Sequence, residues 1–249
     1  MIEIKTQEEI KNMKLACRAV AAALADIAER IRPGISTLDI DKMAAASLEK
    51  SDAKPAFLGY RGYPAVACVS VNEQVIHGIP KADKIIEEGD LVSVDLGAIV
   101  NGFYGDAALT IGVGKIKPED KILLETTKRS LDEALKKAKA GARLGDISNA
   151  VEKTAASKNL GVIREFSGHG IGRKLHEEPS IPNFGVPGTG PVLRNGMTLA
   201  IEPMLSLGSE EVKFLKDGWT VVTTDGSNSA HFEHTVLIKE GECEILTAL

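Results

Sequence analysis

One stretch, VSVDLGAIVNGFYGDAALTI at residues 92–111, constrains this chain more than any other. Two apolar runs rich in β-branched residues, the second also aromatic, flank Asn101-Gly102, the strongest short-range signal for a tight hairpin. Both runs are apolar enough to be buried, yet they carry Asp95 and Asp106. A buried carboxylate costs several kcal/mol unless a cation or hydrogen bonds compensate it. A two-residue type I′ turn places Asp95 opposite Ala108, with Asp106 two residues from Ala108 on the same face. The two carboxylates are then diagonal neighbours, close enough to share a ligand. A slip of one residue in the register would turn Asp106 away. Two such acids raise each other's pKa, and a divalent cation between them removes the conflict. The plainer reading, one Asp at the turn and the other paired with Lys or Arg, stays open on this stretch alone.

Elsewhere the sequence reads as helices first and strands after, twice over. Thr6 and Glu9 form a capping-box signature, and apolar residues recur at Ile10, Met13, Cys17, Val20, Leu24, Ile27 and Ile31. Pro33-Gly34 stops that helix, and a second one runs from Thr37 to about Glu49. Residues 65–71 read as a strand. Pro118 opens a helix ending at Gly141, and another spans about Asp146 to Leu160. The remainder predicts strands over 196–207, 219–225 and 231–240, with a Gly/Pro-rich loop at 181–196. IHGIP (76–80) and GHGIG (168–172) echo one another at similar places in the halves. This order favours an α+β fold over alternating βαβ units.

Composition excludes several classes of function. A net charge of −5 with scattered basic residues gives no nucleic-acid footprint. There is no run of 18 apolar residues for a membrane span and no apolar signal core at the start. The three cysteines, Cys17, Cys68 and Cys243, lack any CxxC pairing and read as reduced thiols, so the cytoplasm is the expected compartment. GVGK (112–115) is not a phosphate loop, and no Gly-x-Ser-x-Gly elbow occurs.

Further candidates lie in the second half. Glu202 sits within an apolar strand beside Pro203, which suggests an edge or a bulge. Strand alternation puts His231, Glu233 and Thr235 on one face. His169 stands among glycines that let backbone approach closely. Singly, each is most simply a hydrogen-bonded structural residue. Together, two Asp, one His and two Glu suit borderline divalent ions such as Mn²⁺, Fe²⁺, Co²⁺ or Zn²⁺. Five protein donors exceed what one catalytic ion with an open position accepts, which points to a pair of ions.

At this point the residues resemble a known family. HGIP with His77, VDLGAIVNGFYGDAA with Asp95 and Asp106, GHGIG with His169, HEEP with His176, IEPM with Glu202 and FEHT with Glu233 resemble the methionine aminopeptidases, in that family's order and spacing. The compact second half is similar to the type I bacterial form. The resemblance implies the pita-bread fold: a curved antiparallel sheet with helices on its outer face and pseudo-twofold halves, roughly 1–115 and 116–249, in one catalytic domain over 1–249. It implies that Asp95, Asp106, His169, Glu202 and Glu233 hold two divalent ions (Co, Mn, Fe, Zn or Ni), with Asp106 and Glu233 bridging. Hydroxide between the ions would attack the first peptide carbonyl. Glu202 would accept a proton, His176 would steady the carbonyl oxygen, and His77 would contact the scissile amide. Tyr60, Tyr63, Cys68 and Trp219 would line the methionine pocket, with Phe57 and Leu175 at its rim. The implied substrates are nascent chains near the ribosome with a small second residue, handled by a cytoplasmic monomer without membrane or nucleic-acid partners. The chain's own Met1-Ile2 start would not qualify.

This sequence departs from the family pattern at four places: Phe57, Arg61, Leu175 and His231. His231, by strand alternation, either hydrogen-bonds Glu233 or is a solvated strand-end residue. Two rival readings are an Xaa-Pro peptidase of the same fold, which usually carries an extra N-terminal domain, and a non-catalytic binding protein that has lost its metal site. The intact donor set argues against the second rival.

Overall fold

In the computed structural model, residues 2–248 are described; Met1, and with it the expectation for the chain's own start, lies outside them. Helix α1 (Gln7–Arg30) opens on the expected box: the Thr6 side chain accepts from the Glu9 N–H and the Glu9 carboxylate accepts from the Thr6 N–H. Helix α2 (Thr37–Lys50) repeats the device with Ser36 and Asp39. Helix α3 (Pro118–Leu135) stops six residues before Gly141, because 136–141 turn back so that Gly141 N–H can donate to the Leu193 carbonyl. Helix α4 (Leu144–Ala156) starts two residues before Asp146, whose carboxylate caps it by accepting from Arg143 N–H at 2.9 Å.

The first half contributes β1 (Lys54–Pro55), β2 (Cys68–Val71), β3 (Gln74–Ile76), β4 (Leu91–Val100) and β5 (Phe103–Gly112). The second contributes β6 (Gly161–Val162), β7 (Ser167–Gly170), β8 (Glu177–Pro182), β9 (Thr198–Ile201), β10 (Met204–Ser206), β11 (Val212–Phe214), β12 (Val221–Thr223), β13 (Ser229–His231), β14 (Glu233–Leu237) and β15 (Glu244–Ile245). The main sheet runs β1-β4-β5-β14-β9-β7-β8, with β2 also on β4 and β15 also on β14. Two three-stranded sheets, β13-β10-β6 and β11-β12-β3, complete the strands, and every pairing is antiparallel.

Asn101 and Gly102 have φ of 52° and 79°, the two left-handed values a type I′ turn needs. The hairpin follows the expected register, with Asp95 opposite Ala108 and Gly97 opposite Asp106. Two expected strands are each split. The run 196–207 divides into β9 and β10 at Glu202-Pro203, and the run 231–240 divides into β13 and β14 at Phe232. Pro203 has no N–H to give the ladder, and its carbonyl accepts from Phe232 N–H at 3.3 Å, so both strands pass from one sheet to another at the same level.

Helices and cavity lie on opposite faces of β5. A Cβ on Gly105 would meet the Cys17 backbone of α1 at 2.6 Å, so Gly105 faces the helix, and its neighbour Asp106 faces the other way. Ile27, Val20 and Leu24 of α1 join Val92, Val94, Leu96 and Ala107 in one buried cluster on the helix side. A second cluster packs Leu123 and Leu131 of α3 with Ile147 and Val151 of α4 against Leu199, Ile201 and Val236. Burying such side chains contributes about 1.5–3 kcal/mol each, which anchors the sheet that carries the polar face.

Candidate metal centre

Residues directly opposite in paired strands share a face of the sheet. One row across the main sheet reads Cys68 (β2), Asp95 (β4), Ala108 (β5), Glu233 (β14). The β9/β14 register persists beyond the break, with Ile201 opposite His234 and Met204 opposite His231, so Glu202 falls opposite Glu233 and extends the row. Two residues along, a second row reads Gly97, Asp106, Thr235, Ala200, His169. Asp106 joins it through Thr235, whose Oγ1 donates to the Asp106 carbonyl at 2.7 Å and accepts from its N–H at 3.1 Å. Strand pairing alone therefore brings all five expected donors to one patch.

The patch is deeply buried, with Asp106 4%, His169 7% and Glu233 2% exposed. Donor atoms of Asp106, His169 and Glu233 all lie within 4.8 Å of one another. His169 Nδ1 is 2.9 Å from the Gly170 carbonyl, which leaves Nε2 aimed inward, 3.5 Å from Glu202 Oε1. Burial lifts Asp95 to about 7. Burial first, and the neighbouring carboxylates second, hold Asp106, Glu202 and Glu233 well above the usual range. Burial, with His176 nearby, drops His169 to about 3, which keeps its imidazole neutral. Asp95 Oδ1, Asp106 Oδ1 and Glu233 Oε1 are buried without any hydrogen-bond partner. Crowded acids with orphaned oxygens beside a neutral imidazole fit divalent cations.

A cavity of about 330 Å³ opens over this patch. It is lined by every residue expected at the site: Phe57, Tyr60, Tyr63, Cys68, His77, Asp95, Asp106, His169, Leu175, His176, Glu202, Trp219 and Glu233. Arg61, one of the four departures from the family pattern, lines it too. Tyr63 donates to the Gly78 carbonyl at 2.9 Å, which fixes its ring edge-on to Trp219 at 5.1 Å. His77 holds φ at 58°, a strained value for a side chain with Cβ, at the foot of the same wall. Burial, then His176, lowers His77 to about 4. Tyr60 Oη is 2.9 Å from His176 Nδ1, and the two rings stack at 5.5 Å.

Sequence reasoning missed Glu165, Phe166 and Ser167, which also line the cavity. They directly precede the glycines around His169, and Phe166 stands edge-on to His77 at 5.7 Å. His231 is neither partnered with Glu233 nor solvated. It is 2% exposed, and its Nε2 lies 3.7 Å from Glu202 Oε2, because the break at Phe232 removes it from the β14 strand.

A curved sheet backed by helices on one face, with a buried carboxylate–imidazole cluster on the other, defines a metal-dependent hydrolase of the pita-bread type. The model for "Metallopeptidase family M24" matches residues 11–240, and the chain belongs to that family, among its methionine aminopeptidases. It is 47% identical over 247 residues to methionine aminopeptidase 1 of Bacillus subtilis, covering 99% of both chains. It is 48% identical to the methionine aminopeptidase of Aquifex aeolicus, covering 100% of this chain and 99% of that one. The crystal structure of the Thermotoga maritima methionine aminopeptidase superposes with a TM-score of 0.99 at 52% identity over the full length of both. The prolidase of Pyrococcus furiosus shares the fold at a TM-score of 0.81 and 26% identity, covering 99% of this chain and 65% of that one.

Proposed function

We propose that this chain removes the N-terminal methionine from newly made proteins and peptides whose second residue is small. The observation that carries this reading is the union, in one cavity, of the five-donor patch with the wall formed by Tyr63, Cys68 and Trp219. A polarizable thioether suits such an aromatic wall. Full-length similarity to proteins named methionine aminopeptidase supports it.

Asp95, Asp106, His169, Glu202 and Glu233 would hold two divalent ions drawn from Co, Mn, Fe, Zn or Ni. Ions bound there supply Lewis acidity and lower the pKa of water toward neutrality. Glu202 would be the carboxylate that accepts a proton when water is activated there, its side chain lining the same cavity. His176 offers a ring N–H to the substrate carbonyl oxygen, while Tyr60 secures the opposite ring nitrogen. His77 meets the scissile amide, and Phe57 and Leu175 close the rim against bulky second residues. The halves 1–115 and 116–249 act as duplicated units, the first giving Asp95 and Asp106 and the second giving His169, Glu202 and Glu233. We place the enzyme as a monomer in the cytoplasm, acting on chains at the ribosome. Its net charge of −5 supports no nucleic-acid role, and no described helix is long and apolar enough to cross a membrane.

The test is a peptide panel with each metal in turn. Release of methionine from Met-Ala-Ser, with Met-Ile-Ser and Ala-Pro-Ser left intact, is the expected result. Cleavage of Ala-Pro-Ser alone, or of nothing with any metal, would overturn the reading.

A further inference from the structure

The cavity depends on a loop, residues 171–176, that joins β7 to β8 and carries Leu175 and His176. Its anchorage comes from the opposite end of the sequence. Lys5 lies in the extended segment before α1, and its N–H donates to the Gly196 carbonyl at 2.8 Å. Its side chain is 2% exposed and runs beneath the loop to place Nζ 2.5 Å from Glu177 Oε2. The other carboxylate oxygen, Glu177 Oε1, accepts from the Lys174 N–H at 3.1 Å and so closes the loop on itself. Residue 172 is glycine, and a Cβ there would stand 2.2 Å from Lys5 Cε, so the end of the lysine side chain packs directly on that backbone. A weaker tie runs parallel, with Arg173 donating to Glu9 at 3.1 Å from the start of α1.

A buried ion pair is poor at adding stability, since desolvation offsets its Coulomb gain, but it strongly disfavours conformations that separate the charges. Here the separated conformation is one in which the 171–176 loop lifts and His176 leaves the cavity. We propose that Lys5 is a positioning residue for the reaction, acting through Glu177 to fix the loop that presents His176. This rests on the role assigned to His176 under the proposed function. Tyr60 sets the ring of His176, and Lys5 sets the backbone that bears it.

The test is a double-mutant cycle on the full chain loaded with Mn²⁺, reading kcat and KM on Met-Ala-Ser. In Lys5→Met, kcat falls on the order of 10- to 100-fold, the scale on which about 1 Å of misplacement acts, with KM changed about twofold or less. In the His176→Ala background, Lys5→Met adds about twofold or less, because the group it positions is gone. Glu177→Gln, which keeps the shape but can accept only one of the two hydrogen bonds, loses kcat to a smaller degree and is likewise non-additive with His176→Ala. An unchanged kcat in Lys5→Met, or an equal loss in both backgrounds, overturns the proposal. If Lys5→Met fails to fold, Glu177→Gln decides by the same two criteria. Full activity of His176→Ala alone would instead sink the role of His176, which separates the two failures.

Discussion

Glu202 lies directly opposite Glu233 across two strands that break at the same level. Two carboxylates so placed, both raised first by burial and then by neighbouring carboxylates (Asp95 and Asp106 for Glu202; Asp106, Glu202 and Asp95 for Glu233), are unfavourable unless a cation joins them. Their sheet neighbours Asp95 and Asp106 compound the crowding. The site is therefore built at the expense of the metal-free fold.

Neutralising one acid should expose that trade. Glu233→Gln is expected to raise the Tm of the chelated protein, because it removes a buried acid crowded by Asp106, Glu202 and Asp95. The same change should abolish the rise in Tm that wild type shows with Mn²⁺, worth about 2.7 kcal/mol at a hundredfold excess over Kd. Thermal scans with and without metal check both halves. A metal-dependent rise that survives Glu233→Gln would remove that residue from the donor set.

The pH dependence of the chelated protein follows from Asp95, lifted by burial to about 7. An acid whose folded pKa exceeds its unfolded value, here about 3.9, binds more protons when folded. Its stabilising contribution is complete below pH 4 and is lost as pH rises to about 7. Asp106, Glu202 and Glu233 shift in the same direction. Buried imidazoles such as His77 and His169, lowered to about 4 and about 3, pull the other way over this window, so the acid is isolated by difference. The urea midpoint of EDTA-treated wild type relative to Asp95→Asn should fall from pH 5 to pH 7, and saturating metal should flatten that slope. A difference that is flat or rises over that window in the chelated protein would contradict the buried acid.

Tyr60 and His176 form a polar contact at 2.9 Å that no catalytic motif demands. Removing the hydroxyl in Tyr60→Phe keeps the stacked ring and frees His176 Nδ1. The net worth of such a bond, about 0.5–1.5 kcal/mol, predicts a fall in kcat/KM of about 2- to 12-fold on Met-Ala-Ser. Wild-type kinetics in Tyr60→Phe would show that stacking alone holds the imidazole.

The path of α1 over the sheet gives a stability prediction independent of metal. A methyl at residue 105 would overlap Cys17 N and Cα at 2.6 and 2.8 Å, backbone atoms that cannot rotate away. Gly105→Ala should cost about 1–3 kcal/mol, the usual range for overpacking, read as a lower urea midpoint. An unchanged midpoint would mean that α1 sits more loosely on β5 than its contacts indicate.

These relationships were unequally legible in the amino-acid sequence. Asn101-Gly102 dictates a turn whose register is local, so the diagonal of Asp95 and Asp106 could be worked out from residue numbers alone. Pro203 marked an edge or a bulge beside Glu202, but the matching break at Phe232 carried no such mark, because it lies within a run that reads as one strand and makes sense only beside Pro203. That is why strand alternation offered His231 either a bond to Glu233 or a solvated strand end, whereas it is found buried against Glu202. Helix starts marked by Thr6 were readable, whereas the end of α3 depends on a distant acceptor at Leu193. Lys5 carried no signal at all: its partner is 172 residues away.

The only tryptophan offers a direct optical check on the methionine pocket. Trp219 is half-buried in the cavity wall, edge-on to Tyr63 at 5.1 Å and 6.2 Å from His77. A thioether entering between these rings would displace water from the indole and alter its emission. Titration with L-methionine should therefore change the fluorescence and saturate at the concentration that inhibits Met-Ala-Ser cleavage. L-Isoleucine, branched at Cβ, should do neither over the same range. Product inhibition by methionine with no change in emission would place the side-chain pocket away from Trp219 and require a different wall.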